Sequence, residues 1–121
     1  MANPRALVIE DDKDISELYG HVLDSLGFET EIIRSGETAS ARLTVIVPAV
    51  VLLDLHLPSH ISGSDILHQI RADKRLMETR VIVITGHPEL AETIRDEADV
   101  VLNKPVDVEQ LSDLISRLHP V

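Results

Sequence analysis

Val50-Val51-Leu52-Leu53-Asp54 is a run of apolar residues closed by a single carboxylate, and its reading decides the fold. A short, unbroken apolar run has the pattern of a strand covered on both faces, as in a parallel sheet flanked by helices. The carboxylate at its end falls where open α/β sheets place their ligands. Other short apolar runs close in a related way. Ala6-Leu7-Val8-Ile9 leads into Glu10-Asp11-Asp12, Val81 to Ile84 leads into Thr85, and Val100 to Leu102 is followed by Lys104-Pro105.

Amphipathic stretches separate these runs. Ile15, Leu18, Tyr19, Val22, Leu23 and Leu26 recur at helical spacing after Asp12 and Asp14, either of which can cap the helix, and Gly27 stops it. Phe28 to Ile33 is predicted as a strand. The pattern then predicts a helix from Glu37 to about Ile46, although Thr44-Val45-Ile46-Val47 is rich in β-branched residues, and Pro48 closes it. After a loop from Leu55 to Gly63, Ile66, Leu67 and Ile70 mark a helix from Ser64 to about Ala72. Leu90, Ala91 and Ile94 mark a short polar helix from Glu89 to Glu97, and the last helix spans Val106 to Leu118. Successive βα units of this kind imply an α/β fold, a parallel sheet with helices on both faces. The expectation is one domain over residues 1–121, with its core at about 6–118.

Bulk composition narrows the function. The chain has 121 residues, with 11 basic and 21 acidic side chains, a net charge of −10 and a pI of about 4.8. Direct nucleic-acid binding is not expected, because phosphate neutralisation needs clustered Lys and Arg. There is no cysteine, hence no disulfide framework or thiolate metal site. No apolar run is long enough for a membrane span or a signal peptide, so a cytoplasmic location without membrane contact is expected. Phe28 and Tyr19 are the only aromatic residues, which argues against flavin stacking.

The strand-end groups have a common chemistry. Carboxylates held close together repel, and must take up protons or share a cation. Mg²⁺ prefers oxygen ligands and keeps waters that phosphate oxygens can replace. A carboxylate beside it can attack phosphorus to give an acyl phosphate, with a lysine ammonium stabilising the equatorial oxygens and a threonine hydroxyl bonding the product. Taken singly, each residue is an ordinary helix cap, turn, packing or loop residue. Their coincidence at four strand ends points to a site.

These residues resemble the receiver domain of two-component response regulators, from about Ala6 to Leu118. The acidic pair that holds Mg²⁺ in that family matches Glu10 and Asp11. The phosphoacceptor matches Asp54 in Leu52-Leu53-Asp54-Leu55-His56-Leu57-Pro58. The switch hydroxyl matches Thr85 in Val81-Ile82-Val83-Ile84-Thr85-Gly86, and the phosphate-binding lysine matches Lys104 in Asn103-Lys104-Pro105-Val106-Asp107. The resemblance implies a flavodoxin-like (βα)5 fold with strand order 2-1-3-4-5. It implies Mg²⁺ or Mn²⁺ held by Glu10, Asp11, Asp54 and the backbone carbonyl of His56, with Gly86 leaving room for the phosphodonor. It further implies a histidine kinase or histidine-phosphotransfer protein as donor, an output protein or domain as target, and no enzymatic activity beyond the domain's own phosphorylation and dephosphorylation.

Several features depart from the family. The switch position three residues before the lysine, commonly aromatic, is Val101. Thr85 and Lys104 are 19 positions apart, about one helical turn short, so the fourth helix is expected to be clipped. Both changes fall on the usual dimer face, which puts a homodimer through it in doubt. Gly63 lies nine positions after Asp54, one more than is common, and such an insertion is entropically cheap. His56 and His87 follow Asp54 and Thr85 by two residues, where they line the phosphoryl group's path to solvent and are expected to tune acyl-phosphate lifetime. Two other readings compete. An aspartate-nucleophile phosphohydrolase would need a second Asp where His56 stands, and a receiver-fold interaction module would use the same surfaces without phosphorylation.

Overall fold

Strands that are apolar on both faces need cover on both faces, and the sequence supplies helices on each side. The computed structural model describes residues 3–119. Its elements are β1 (Arg5–Ile9), α1 (Lys13–Ser25), β2 (Glu29–Ile33), α2 (Gly36–Leu43), β3 (Val50–Asp54), α3 (Gly63–Ala72), β4 (Arg80–Thr85), α4 (Pro88–Ala91), β5 (Val100–Asn103) and α5 (Val108–Leu118). All strand pairings are parallel, in the order β2-β1-β3-β4-β5.

Alternate side chains of each central strand feed different cores. Leu7, Ile9, Val51, Leu53, Val81 and Val83 pack with Leu43 of α2 and Ile66, Leu67 and Ile70 of α3. Ala6, Val8, Val50, Leu52, Ile82 and Ile84 pack on the other face, with Tyr19, Val22 and Leu23 of α1 and Leu111 and Ile115 of α5. The edge strand β5 is only half-buried, whereas every residue of β3 is buried.

Local chemistry sets the helix ends. Asp12, not Asp14, caps α1, accepting from the Ile15 N–H at 2.9 Å. Gly27, at φ +93°, ends it in the left-handed region, where the Phe28 N–H reaches the Leu23 carbonyl at 3.1 Å and the Gly27 N–H reaches Asp24 at 3.0 Å. Ser62 and Asp65 form a reciprocal capping box on α3, and Asp107 caps α5, which leaves Val106 outside the helix.

Two other expected helices are also shorter than their patterns. α2 stops at Leu43 rather than Ile46. The Thr44 hydroxyl donates to the Ala41 carbonyl at 2.6 Å, and the Val45 and Ile46 N–H groups both turn back to Arg42. The β-branched run resists helix, so the chain turns there toward β3. α4 covers only Pro88–Ala91 of the expected stretch to Glu97. Isolated i to i+3 bonds follow it, such as the Ile94 N–H to Ala91 at 3.2 Å and the Glu97 N–H to Ile94 at 3.0 Å. A 3-10 turn at Lys74–Leu76 was not legible in the apolar pattern.

Side chains of α3 support the clipped α4 region. Arg71 donates to the Glu97 carbonyl at 2.6 Å, to the Thr79 carbonyl at 3.0 Å and to Asp99 at 2.8 Å. His68 lies 2.8 Å from a Glu97 carboxylate oxygen. Asp99 also accepts from the Val81 N–H at 2.7 Å, which ties the segment before β5 to the start of β4.

Candidate functional site

Strand register brings the strand-end groups to one sheet edge. Ile9 pairs with Leu53, Asp54 with Ile84, and Thr85 with Asn103. Glu10, Asp54, Thr85 and Lys104 therefore all lie at the carboxyl edge. The chain leaves β1 for β2 on one side and returns to β3 on the other, so β1 and β3 flank the switch point where such folds open a crevice. A cleft of about 280 Å³ opens there, and Glu10, Asp11, Asp54, His56, Gly86, His87 and Lys104 are among its lining residues.

The carboxylates converge within it. Glu10, Asp11 and Asp54 each present an oxygen, all within 4.8 Å of one another; Glu10 and Asp54 are buried and Asp11 is exposed. The Lys104 ammonium donates to Glu10 Oε1 at 3.0 Å and to Asp54 Oδ2 at 3.2 Å. The other Glu10 oxygen accepts from the Asp12 N–H at 3.1 Å, and Asp54 Oδ1 accepts from the His56 N–H at 3.0 Å. Asp12 itself is occupied as the α1 cap and does not join the cluster.

Burial dominates the electrostatics of Glu10. It pushes that carboxyl up to about 7, the nearby Asp54 charge adds to the rise, and the Asp12 N–H and Lys104 oppose it. Burial works against the Lys104 charge, but hydrogen bonding to Glu10 and the Asp54 charge outweigh it and hold the ammonium above the ordinary lysine range. A buried carboxyl that resists ionising beside two others is the donor set a hard divalent cation satisfies, so these residues fit Mg²⁺.

Thr85 is fully buried at the same edge, but its hydroxyl faces its own loop. It accepts from the His87 N–H at 3.0 Å and donates to the His87 carbonyl at 3.4 Å. A Cβ added at Gly86 would have no atom within 4 Å, so a larger side chain there would meet no packing obstacle and would stand in the cleft lining. The His56 and His87 rings are exposed and come together at the mouth, with centroids 5.6 Å apart. Val101 lies outside the cleft, half-buried against the α2–α3 core.

Residues to which the sequence assigned no role in the cleft also build the site. Gly63 packs against the backbone of Asp54 and Leu55: an added Cβ would lie 2.4 Å from the Asp54 carbonyl oxygen and 2.5 Å from Leu55 Cα. Tyr19 joins Ile15, Lys104 and Pro105 around an adjoining cavity of about 430 Å³. Burial raises its phenol, while the Lys104 charge lowers it. The Lys104–Pro105 peptide is cis, which an X-Pro sequence alone does not reveal.

A parallel sheet of order β2-β1-β3-β4-β5 with an acidic cleft and a lysine at its carboxyl edge defines the class, a doubly wound α/β domain with its site at the switch point. Within it, residues 6–116 match the family model of the response regulator receiver domain, and the chain belongs to that family. It is 31% identical over 111 residues to the "DNA-binding dual master transcriptional regulator RpaA" of Synechocystis sp., covering 89% of this chain and 46% of that protein. The chain thus spans about half the length of that relative. Among solved structures it is similar to the signal receiver domain of a LuxO repressor from Vibrio parahaemolyticus, with a TM-score of 0.85, 27% identity and coverage of 97% and 90%. It also shares the fold of a sensor histidine kinase receiver domain from Pseudomonas aeruginosa, solved with a magnesium ion in its active-site cleft, with a TM-score of 0.84, 21% identity and coverage of 97% and 98%. The chain is thus a receiver domain of two-component signal transduction, with the expected strand order and shortened fourth helix.

Proposed function

We propose that this receiver accepts a phosphoryl group on Asp54 from a phosphohistidine of a histidine kinase or phosphotransfer protein, and thereby switches a protein-interaction face. The observation that carries the reading is the Lys104 ammonium bridging Glu10 and Asp54 at 3.0 and 3.2 Å, with Asp11 in the same cleft. Glu10, Asp11, Asp54 and the His56 carbonyl would hold the cation. Bound Mg²⁺ supplies charge neutralisation at the phosphoryl oxygens. An Asp54 carboxylate oxygen attacks phosphorus, a P–O bond forms, the P–N bond breaks, and the imidazole leaves with its electron pair. Lys104 then turns its ammonium from Glu10 to the phosphoryl oxygens. The Thr85 hydroxyl exchanges the His87 carbonyl for the phosphoryl group, and the loop carrying Gly86 and His87 moves with it.

The residues act on their own phosphorylation and dephosphorylation, not in turnover of an outside substrate. The phosphohydrolase reading is disfavoured because His56 stands where that class carries a second aspartate as general acid. The protein acts in the cytoplasm, where such donors present their phosphohistidine; among the described residues no helix is long and apolar enough to cross a membrane. The clipped α4 and Val101 alter the usual dimer face; the output goes to another protein or domain, with a homodimer as the alternative.

Intact mass after incubation with acetyl phosphate and Mg²⁺ tests this. One added phosphoryl group is expected, absent in Asp54→Asn and in EDTA. An unmodified wild type that is folded and binds Mg²⁺ would instead mark an interaction module without phosphorylation. His56 and His87, paired at the mouth, lengthen or shorten the life of the acyl phosphate by controlling the approach of water. An unchanged half-life in both His56→Asn and His87→Ala would refute that role.

A further inference from the structure

The loop after the phosphoacceptor is longer than usual, yet it is not slack. At its base, Gly63 packs on the backbone of Asp54 and Leu55, and the Gly63 N–H reaches the Leu55 carbonyl at 3.3 Å. Its tip is fastened to the first turn of α2. The Gly36 N–H donates to the Ser59 hydroxyl oxygen at 3.1 Å, and that hydroxyl donates to the Ile61 carbonyl at 2.9 Å. The Ile61 N–H donates to Glu37 Oε2 at 3.0 Å. There is no room between the two segments: a Cβ at Gly36 would lie 2.0 Å from the Ile61 carbonyl oxygen.

We propose that Glu37 and Ser59 are positioning residues for the phosphoacceptor cleft: they latch the loop to α2 and so fix the backbone of Leu55 to Leu57, which carries the His56 carbonyl. This rests on the reading of that carbonyl as a metal ligand. Local geometry favours a positional role over a purely stabilising one. Glu37 is exposed, and α2 is already capped by Ser35, which accepts from the Thr38 N–H. Its carboxylate instead bonds a backbone group 24 residues away in the loop. Two short polar links thus hold a loop that has the N–H bonded to Asp54 at one end and the α3 capping box at the other.

Orienting groups one step removed from a metal change its affinity by about tenfold to a hundredfold when removed. Glu37→Ala and Ser59→Ala, singly and together, are expected to weaken Mg²⁺ binding by about tenfold in calorimetric titration, near the lower end because the latch acts through backbone. Glu37→Gln keeps an oxygen acceptor for the Ile61 N–H and is expected to restore wild-type affinity. Asp65→Ala is the contrasting control: it breaks the α3 capping box, and should lower the thermal midpoint while leaving Mg²⁺ affinity in place. Melting of each metal-free variant shows whether it is folded, and the exposed Glu37 site keeps at least one variant interpretable. Wild-type Mg²⁺ affinity in a folded Glu37→Ala, Ser59→Ala double variant would overturn the latch. Failure of wild type itself to bind Mg²⁺ would overturn the metal reading beneath it.

Discussion

Glu10 should make the metal-free protein less stable as the solution is made less acidic. Its carboxyl is 2% exposed and is raised from 4.5 to about 7, chiefly by burial. Between those pH values the folded protein holds a proton that the unfolded chain has released. Stability therefore falls with rising pH, by about 1.4 kcal/mol per unit where the difference is a whole proton. The contribution is fully present below about pH 4.5 and is lost as pH rises through 7, a total of about 3 kcal/mol. Glu10→Gln removes the titration; its amide oxygen can accept from the Lys104 ammonium or the Asp12 N–H but not both, a fixed cost that does not vary with pH. Urea unfolding in EDTA at pH 5, 6, 7 and 8 should show wild type losing about 2–3 kcal/mol more than the variant across that range. Mg²⁺ should reverse the loss in wild type at pH 8, because it binds the folded cleft alone, and below pH 7 its binding should release a proton. Parallel pH profiles for wild type and Glu10→Gln would refute the assignment of Glu10 as a carboxyl strained by burial.

Other perturbations follow from the same geometry. Arg71→Ala removes hydrogen bonds to two carbonyls and to Asp99, which keeps its bonds to Arg80 and Val81; a loss of about 2–3 kcal/mol is expected in urea unfolding, and a change under about 0.5 kcal/mol would show that the clipped α4 region does not need this support. Gly63→Ala forces a methyl group onto the Asp54 and Leu55 backbone, so it should cost about 1–3 kcal/mol and slow phosphoryl uptake; wild-type rates together with wild-type stability would contradict the close approach. Lys104→Met removes a cation that competes for Glu10 and Asp54, so Mg²⁺ should bind more tightly while phosphoryl transfer slows; weaker Mg²⁺ binding would mean that Lys104 organises the carboxylates rather than opposing the metal.

Much of this protein could be read from its residues because the relevant signals are local. The central strands declared themselves as apolar runs that need two covered faces, and strand-end position then placed Glu10, Asp54, Thr85 and Lys104 at one edge. The helix boundaries were less legible where intrinsic preference and pattern disagreed. Thr44 to Val47 continued an apolar period but resisted helix, and the stretch after Ala91 had the residues of a helix without its continuous bonds. The loop after Asp54 was the least legible part. Its added residue is an entropically cheap insertion, and nothing local in Ser59 or Ile61 identifies Gly36 and Glu37 as their partners.

The sequence by itself determined the parallel α/β class, the family and the set of groups at the strand ends, since these depend on residue type and short-range period. Only the tertiary structure decided which group Lys104 bonds, that Glu10 is too buried to ionise readily, that Thr85 faces the His87 backbone, and that the loop after Asp54 is fastened to α2. Each of these depends on the distance between residues remote in the chain and on the water removed between them. Residue order alone specifies neither.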